Sequence, residues 1–170
     1  MKTIKRSLLA AALLITTAYG ATAQSTANAT ATATILTAIS ITKTVDMNFG
    51  NISVQAATGG TVILSTAGVR STTGGVTLPA TGGTVTAASF TIGGEGAYTY
   101  SITLPTTPHT ISNAANTMTV TAFLSNPSGT GTLTGGAQTL TVGATLTISA
   151  AQATGLYTSE TGFNVTVNYN

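Results

Sequence analysis

Four side chains in this 170-residue sequence could exchange protons in a reaction: the sole histidine, His109, and the three carboxylates Asp46, Glu95 and Glu160. A glycosidase needs two carboxyl groups that converge, one of them with a raised pKa. Here the three acids fall in three different segments, and His109 lies in "PTTPHT", a Pro-rich turn whose histidine reads as a solvated loop residue rather than a base. With no cysteine and one histidine, no zinc set can be assembled. The sequence assigns no catalytic residue, no metal ligand and no cofactor, and the expectation is a protein that is not an enzyme.

Other short motifs have plainer readings. "DMNFGN" (46–51) alternates oxygen ligands and carries a Gly, like a calcium loop, but it lacks the terminal Glu, so it reads as a strand followed by a turn. "LPATG" (78–82) matches the sortase signal, yet strand-like sequence follows it rather than an apolar stretch and a basic tail. "NAT", "NIS" and "NVT" fit a glycosylation acceptor by spacing alone, as expected in a Thr-rich chain. Thr30, Thr32 and Thr34 form one T-x-T rank of the kind seen on ice-binding faces, but no second rank recurs at a fixed interval.

Composition narrows the class. Lys2, Lys5 and Arg6, the apolar run "SLLAAALLITTA" and an A-x-A site at residues 21–23 read as a secretory signal, too short to span a bilayer as a stable helix. The expected division is a signal over 1–23, an N-terminal extension over 24–36 and one domain over 37–170. After the signal, Lys43 and Arg70 stand against the three carboxylates, which leaves one net negative charge and no basic patch for nucleic acid. The absence of cysteine leaves stability to the core or to assembly. Only 5% of residues are charged, where a free soluble domain carries about 25–35% on its surface, which suggests a surface largely covered by copies of itself.

The elements that would position any site are strands. Period-two runs rich in Thr, Val, Ile, Tyr and Phe recur as "ISITKTVDMNF", "GTVILST", "TVTAASFTI", "AYTYSITL", "TMTVTAFL", "QTLTVGATLTI" and "GFNVTVNYN". Between them, "STTGG", "IGGEG", "PTTPH" and "NPSGTG" read as turns. "TGG" recurs at unequal intervals, which excludes a solenoid. About seven short strands predict an all-β sandwich of immunoglobulin-like size.

The two ends are the most regular. From Ala29 to Phe49 the odd positions are apolar except at Thr37 and Lys43. One unbroken strand would run about 70 Å at ~3.3 Å per residue, far beyond the usual length, so the reading places an arm before Thr37 and the first body strand after it. At the other end Phe163, Val165, Val167 and Tyr169 share one face, and Asn164, Thr166, Asn168 and Asn170 the other.

The stretches "ATATATILTAISITKTVDMNFGNI", "ASFTIGGEGAYTYSITLP" and "LTVGATLTISAAQATGLYTSETGFNVTVNYN" resemble the bacterial domain of unknown function 4402, similar to spore coat protein U and more distantly to chaperone-usher pilins. The resemblance implies an incomplete, pilin-like sandwich exported with a periplasmic chaperone and an outer-membrane usher, and completed by a neighbour's donated N-terminal strand. On that pattern Ala29, Ala31, Ala33 and Ile35 match the inward positions of the donor arm. Phe163, Val165, Val167 and the penultimate Tyr169 match the C-terminal strand that edges the groove and meets the chaperone. The chain departs from enterobacterial pilins in having no early disulfide and a small-residue arm, which implies a shallow groove.

The function expected is a secreted structural subunit of a cell-surface filament or coat, not transmembrane, whose partners are copies of itself or related subunits. The alternative is a monomeric adhesin or carbohydrate-binding sandwich, for which Tyr98 and Tyr100 on one strand face would stack on a sugar. Folding of the arm onto its own domain as a first strand is the other arrangement open to it.

Overall fold

A computed structural model describes residues 23–170. The expected signal over 1–23 lies, but for its last residue, outside the described residues. The chain divides into two compact units, one ending at Thr34 and one running from Ile35 to Asn170. In the first unit, residues 23–34 are exposed and hold no helix or strand.

The second unit is all-β and antiparallel, as the period-two runs predict. Its central strand is β11 (Ala137–Ile148), twelve residues that pair on one edge with two partners in turn. Residues 137–142 pair with β6 (Ala88–Gly93) and 144–148 with β3 (Gly60–Leu64), while β9 (Asn116–Asn126) runs along the opposite edge. Gly143 sits where the partner changes, and a Cβ there would strike the Leu64 carbonyl, so the switch requires glycine. Beyond these, β1 (Ser40–Val45) adds to β6, β4 (Arg70–Gly74) to β3, and β8 (His109–Asn113) to β9. A second sheet consists of β10 (Thr130–Thr132), β7 (Thr99–Thr103) and β12 (Thr166–Tyr169), in that order. The short pair β2 (Ser53–Val54) and β5 (Val76–Thr77) stands apart.

Inward-facing residues of both sheets make one core. Val62, Leu64, Ile92, Leu140, Val142 and Leu146 come from the large sheet, and Tyr100 and Val167 from the small one. Fully burying such a side chain contributes about 1.5–3 kcal/mol. Among the described residues no polar side chain other than that of Tyr100 is buried in the core, and the Tyr100 hydroxyl donates to Gln138 Oε1 at 2.9 Å. Gln138 also accepts from the Thr132 backbone, so the polar tip is satisfied.

All seven expected strands exist, and the structure adds others. "STTGG" is largely β4 rather than a turn: it pairs over its whole length with β3 as a mostly exposed edge strand with little apolar signal. His109 is not in a turn either, because it opens β8, half-buried, opposite Val120. The long alternation from Ala29 breaks as its length required. Among the described residues, 23–39 form no strand, and β1 ends in a register shift between Lys43 and Val45.

Candidate functional site

The proton-bearing residues do not converge. Asp46 pairs with Lys43 on the surface, Glu95 contacts Thr37, and Glu160 is exposed. His109 Nε2 lies 2.9 Å from the exposed Ser159 hydroxyl and its ring meets Phe163 edge-on at 6.0 Å, so what orients it is aromatic packing. A serine so placed needs an acid behind the imidazole to act as a nucleophile, and the hydrogen bonds around His109 supply none. Among the described residues no three His, Cys, Asp or Glu come together as a metal site.

The pair of tyrosines proposed as a sugar platform is separated by burial. Tyr100 is wholly buried and Tyr98 is exposed, its ring edge-on to Tyr169 at 5.9 Å, so the two do not form one stacking face. Threonines do form a rank, though across strands rather than along the chain: Thr110, Thr119, Thr147, Thr61 and Thr73 are neighbours in register on five strands. A sheet turns by roughly 20–25° per strand, so such a rank fans out instead of matching a flat lattice.

A cleft opens where regular strand pairing ends. Past Val45 the chain leaves β6: it touches the segment ahead of that strand at an isolated bridge, Asn48 to Thr86, and Ser53–Val54 then pair with β5. On the facing side, residues 149–165 run to β12 as a strap whose backbone meets β8 at a bridge between Ser112 and Thr158. Between them opens a cleft of about 970 Å³ with Phe90, Val120, Leu146 and Ile148 in its lining. Met47, Ile111, Met118 and Phe163 are only half-buried around it, Val45 is 39% exposed, and Leu156 stands on the strap 81% exposed. The side chains at the rim of the cleft are thus partly open to solvent, while the core residues in its lining stay buried.

Both walls are braced. Arg70 donates through Nη1 to the carbonyls of Phe49 at 2.6 Å and Asn51 at 2.9 Å, and its guanidinium lies over Gly82. Two charge-assisted bonds to backbone hold the 46–51 wall firmly. On the strap, Gln152 bonds the Thr117 carbonyl and the Tyr157 hydroxyl, and Ala151 bonds the Gln55 carbonyl. By contrast the Lys43–Asp46 pair is exposed and contributes little.

The residues singled out in the sequence divide between these features. Phe163 lines the cleft and packs on Phe123 at 4.9 Å. Val165 is half-buried, Val167 buried and Tyr169 half-buried, while the four residues alternating with them are exposed, as the periodicity requires. Strand pairing covers only Thr166–Tyr169, which pairs with β7 and with no other strand among the described residues. Ala29, Ala31 and Ala33 are exposed, and Ile35 is 96% exposed.

Residues 39–169 match the domain of unknown function DUF4402. The chain belongs to the DUF4402 family. No curated protein and no solved structure matches it. The DUF4402 match begins at Ile39 and ends at Tyr169, so it takes in every strand and both walls of the cleft, and it leaves the Ala/Thr segment outside.

Proposed function

We propose that this DUF4402 chain is a structural subunit of a cell-surface filament or coat, and that it polymerises when residues 24–36 of one copy add as a strand in the cleft of the next. The observation that carries this reading is a complementary pair within one sequence: a segment in no strand with a wholly exposed Ile35, and a cleft rimmed by exposed and half-buried apolar side chains. Strand addition satisfies both, since main-chain hydrogen bonds close an open edge while alternate side chains fill the space beneath. Each hydrogen bond contributes about 1 kcal/mol net, and burying Ile35 adds roughly 1.5–3 kcal/mol. Three alanines add little, so the backbone and one anchor supply most of the affinity.

The low charge of the chain supports the same reading, because a sequence in which only 5% of residues are charged suits burial of its surface against copies of itself. In this account the protein is exported by its N-terminal signal and reaches the surface through the periplasm, where a chaperone fills the cleft and an usher exchanges it for the next arm. A free peptide of residues 24–36, added to the mature chain lacking them, tests the pairing. It binds saturably, and Ile35→Asp in the peptide weakens binding by at least about tenfold because the carboxylate is driven into an apolar cleft. Equal binding of the two peptides would contradict the assignment of Ile35 as anchor.

A further inference from the structure

Thr37, where the N-terminal segment joins the sandwich, is held by a closed ring of hydrogen bonds. Thr37 donates twice to Glu95 Oε2, from its backbone nitrogen at 3.3 Å and from its hydroxyl at 3.0 Å. The Tyr169 hydroxyl donates to the Thr37 carbonyl at 2.8 Å and accepts from the Glu95 backbone nitrogen at 2.6 Å. Three residues far apart in the chain thereby use both backbone groups of Thr37. The space for the Tyr169 hydroxyl comes from Gly94, where a Cβ would collide with it, and the Tyr169 ring is supported by Tyr98. Glu95 is presented by the "IGGEG" turn, itself fixed by Gly94 to Gly136 and Ala97 to Leu133 backbone bonds.

We propose that Thr37, Glu95 and Tyr169 form a positioning clamp that sets the backbone at the root of the donated segment. The proposal rests on the strand-donation reading and names what controls it. Residues 36–38 belong to no strand, so without the ring the chain would pivot there. Ordering a residue costs about 1–2 kcal/mol, and a root fixed in the free subunit removes that cost from the assembly step. The clamp also changes the role of the penultimate tyrosine: its hydroxyl is engaged within the chain, and what β12 offers to a chaperone or neighbour is its unpaired backbone edge.

Glu95 lies outside the cleft lining, which makes it the residue to vary. The mature chain is compared with its Glu95→Ala and Glu95→Gln variants by amide exchange at Thr37 and by the rate of polymer growth. Binding of the free 24–36 peptide to arm-deleted forms of each is measured alongside. Glu95→Ala is expected to speed exchange at Thr37 by at least about tenfold, the scale of one charge-assisted hydrogen bond, and to slow growth several-fold. Peptide binding stays unchanged, the unfolding midpoint falls by no more than the loss of that bond accounts for, and Glu95→Gln, which keeps one carbonyl acceptor, stays near the parent in exchange and in growth. Unchanged exchange at Thr37, or faster exchange with unchanged growth, overturns the clamp. Growth that slows only together with peptide binding also overturns it, since the defect then lies in the cleft. A parent chain that neither grows nor binds the peptide contradicts strand donation itself, a separate failure.

Discussion

At Gly131 the ring of Tyr100, its partner in register, occupies the place a methyl group would need. Gly131→Ala therefore forces the ring off its rotamer or the strands apart, and a loss of about 1–3 kcal/mol is expected in urea unfolding. The same burial raises the Tyr100 pKa above its ordinary value of 10.0 by desolvation. Because the folded pKa lies above the unfolded one, the unfolded chain ionises first. The contribution is whole below about pH 10 and is lost as pH rises through the folded value. Stability followed by urea midpoints should fall with pH above 10, and the fall should be shallower in Tyr100→Phe, which has no proton to lose there.

Among the elements, the edges of the cleft are where an added strand must leave its mark. With the 24–36 peptide bound, amide exchange should slow in residues 45–49 or 159–165, which border the cleft, and stay unchanged in the remote edge strand β4; slowing in β4 instead would place the donated strand elsewhere. The strands that carry this geometry were largely legible, because β6, β9, β11 and β12 alternate β-branched or aromatic residues with polar ones. β4 and β8 were not. One is an exposed run of Ser, Thr and Gly, and the other follows Pro105 and Pro108, so local chemistry spelled turns where pairing to β3 and β9 made strands. The ring that joins Thr37 to Glu95 and Tyr169 was not legible, because it spans 58 and 132 residues. Nor was the cleft, which opens where β1 ends after its register shift and which Val45, Val120, Leu146 and Phe163 line together. The pattern of single strands shows which side of a residue faces inward, and only the register shows which core is left open.

For the whole molecule, two properties bear on the proposed assembly. The sandwich carries a cleft of about 970 Å³, and its segment ahead of β1 pairs with no strand among the described residues. A sandwich closed by a copy of itself forms a chain of subunits joined head to tail, an open assembly that grows without limit unless capped. The interfaces would resist detergent, since every joint is part of a folded core, and would yield to heat. The most direct measurement is the size distribution of the mature chain in detergent, unheated and boiled, beside the same chain lacking residues 24–36. The account predicts a ladder of oligomers that collapses on boiling and is absent from the shortened chain, which remains a folded monomer. A single monomer band from the intact chain, or an equal ladder from the shortened one, would contradict it.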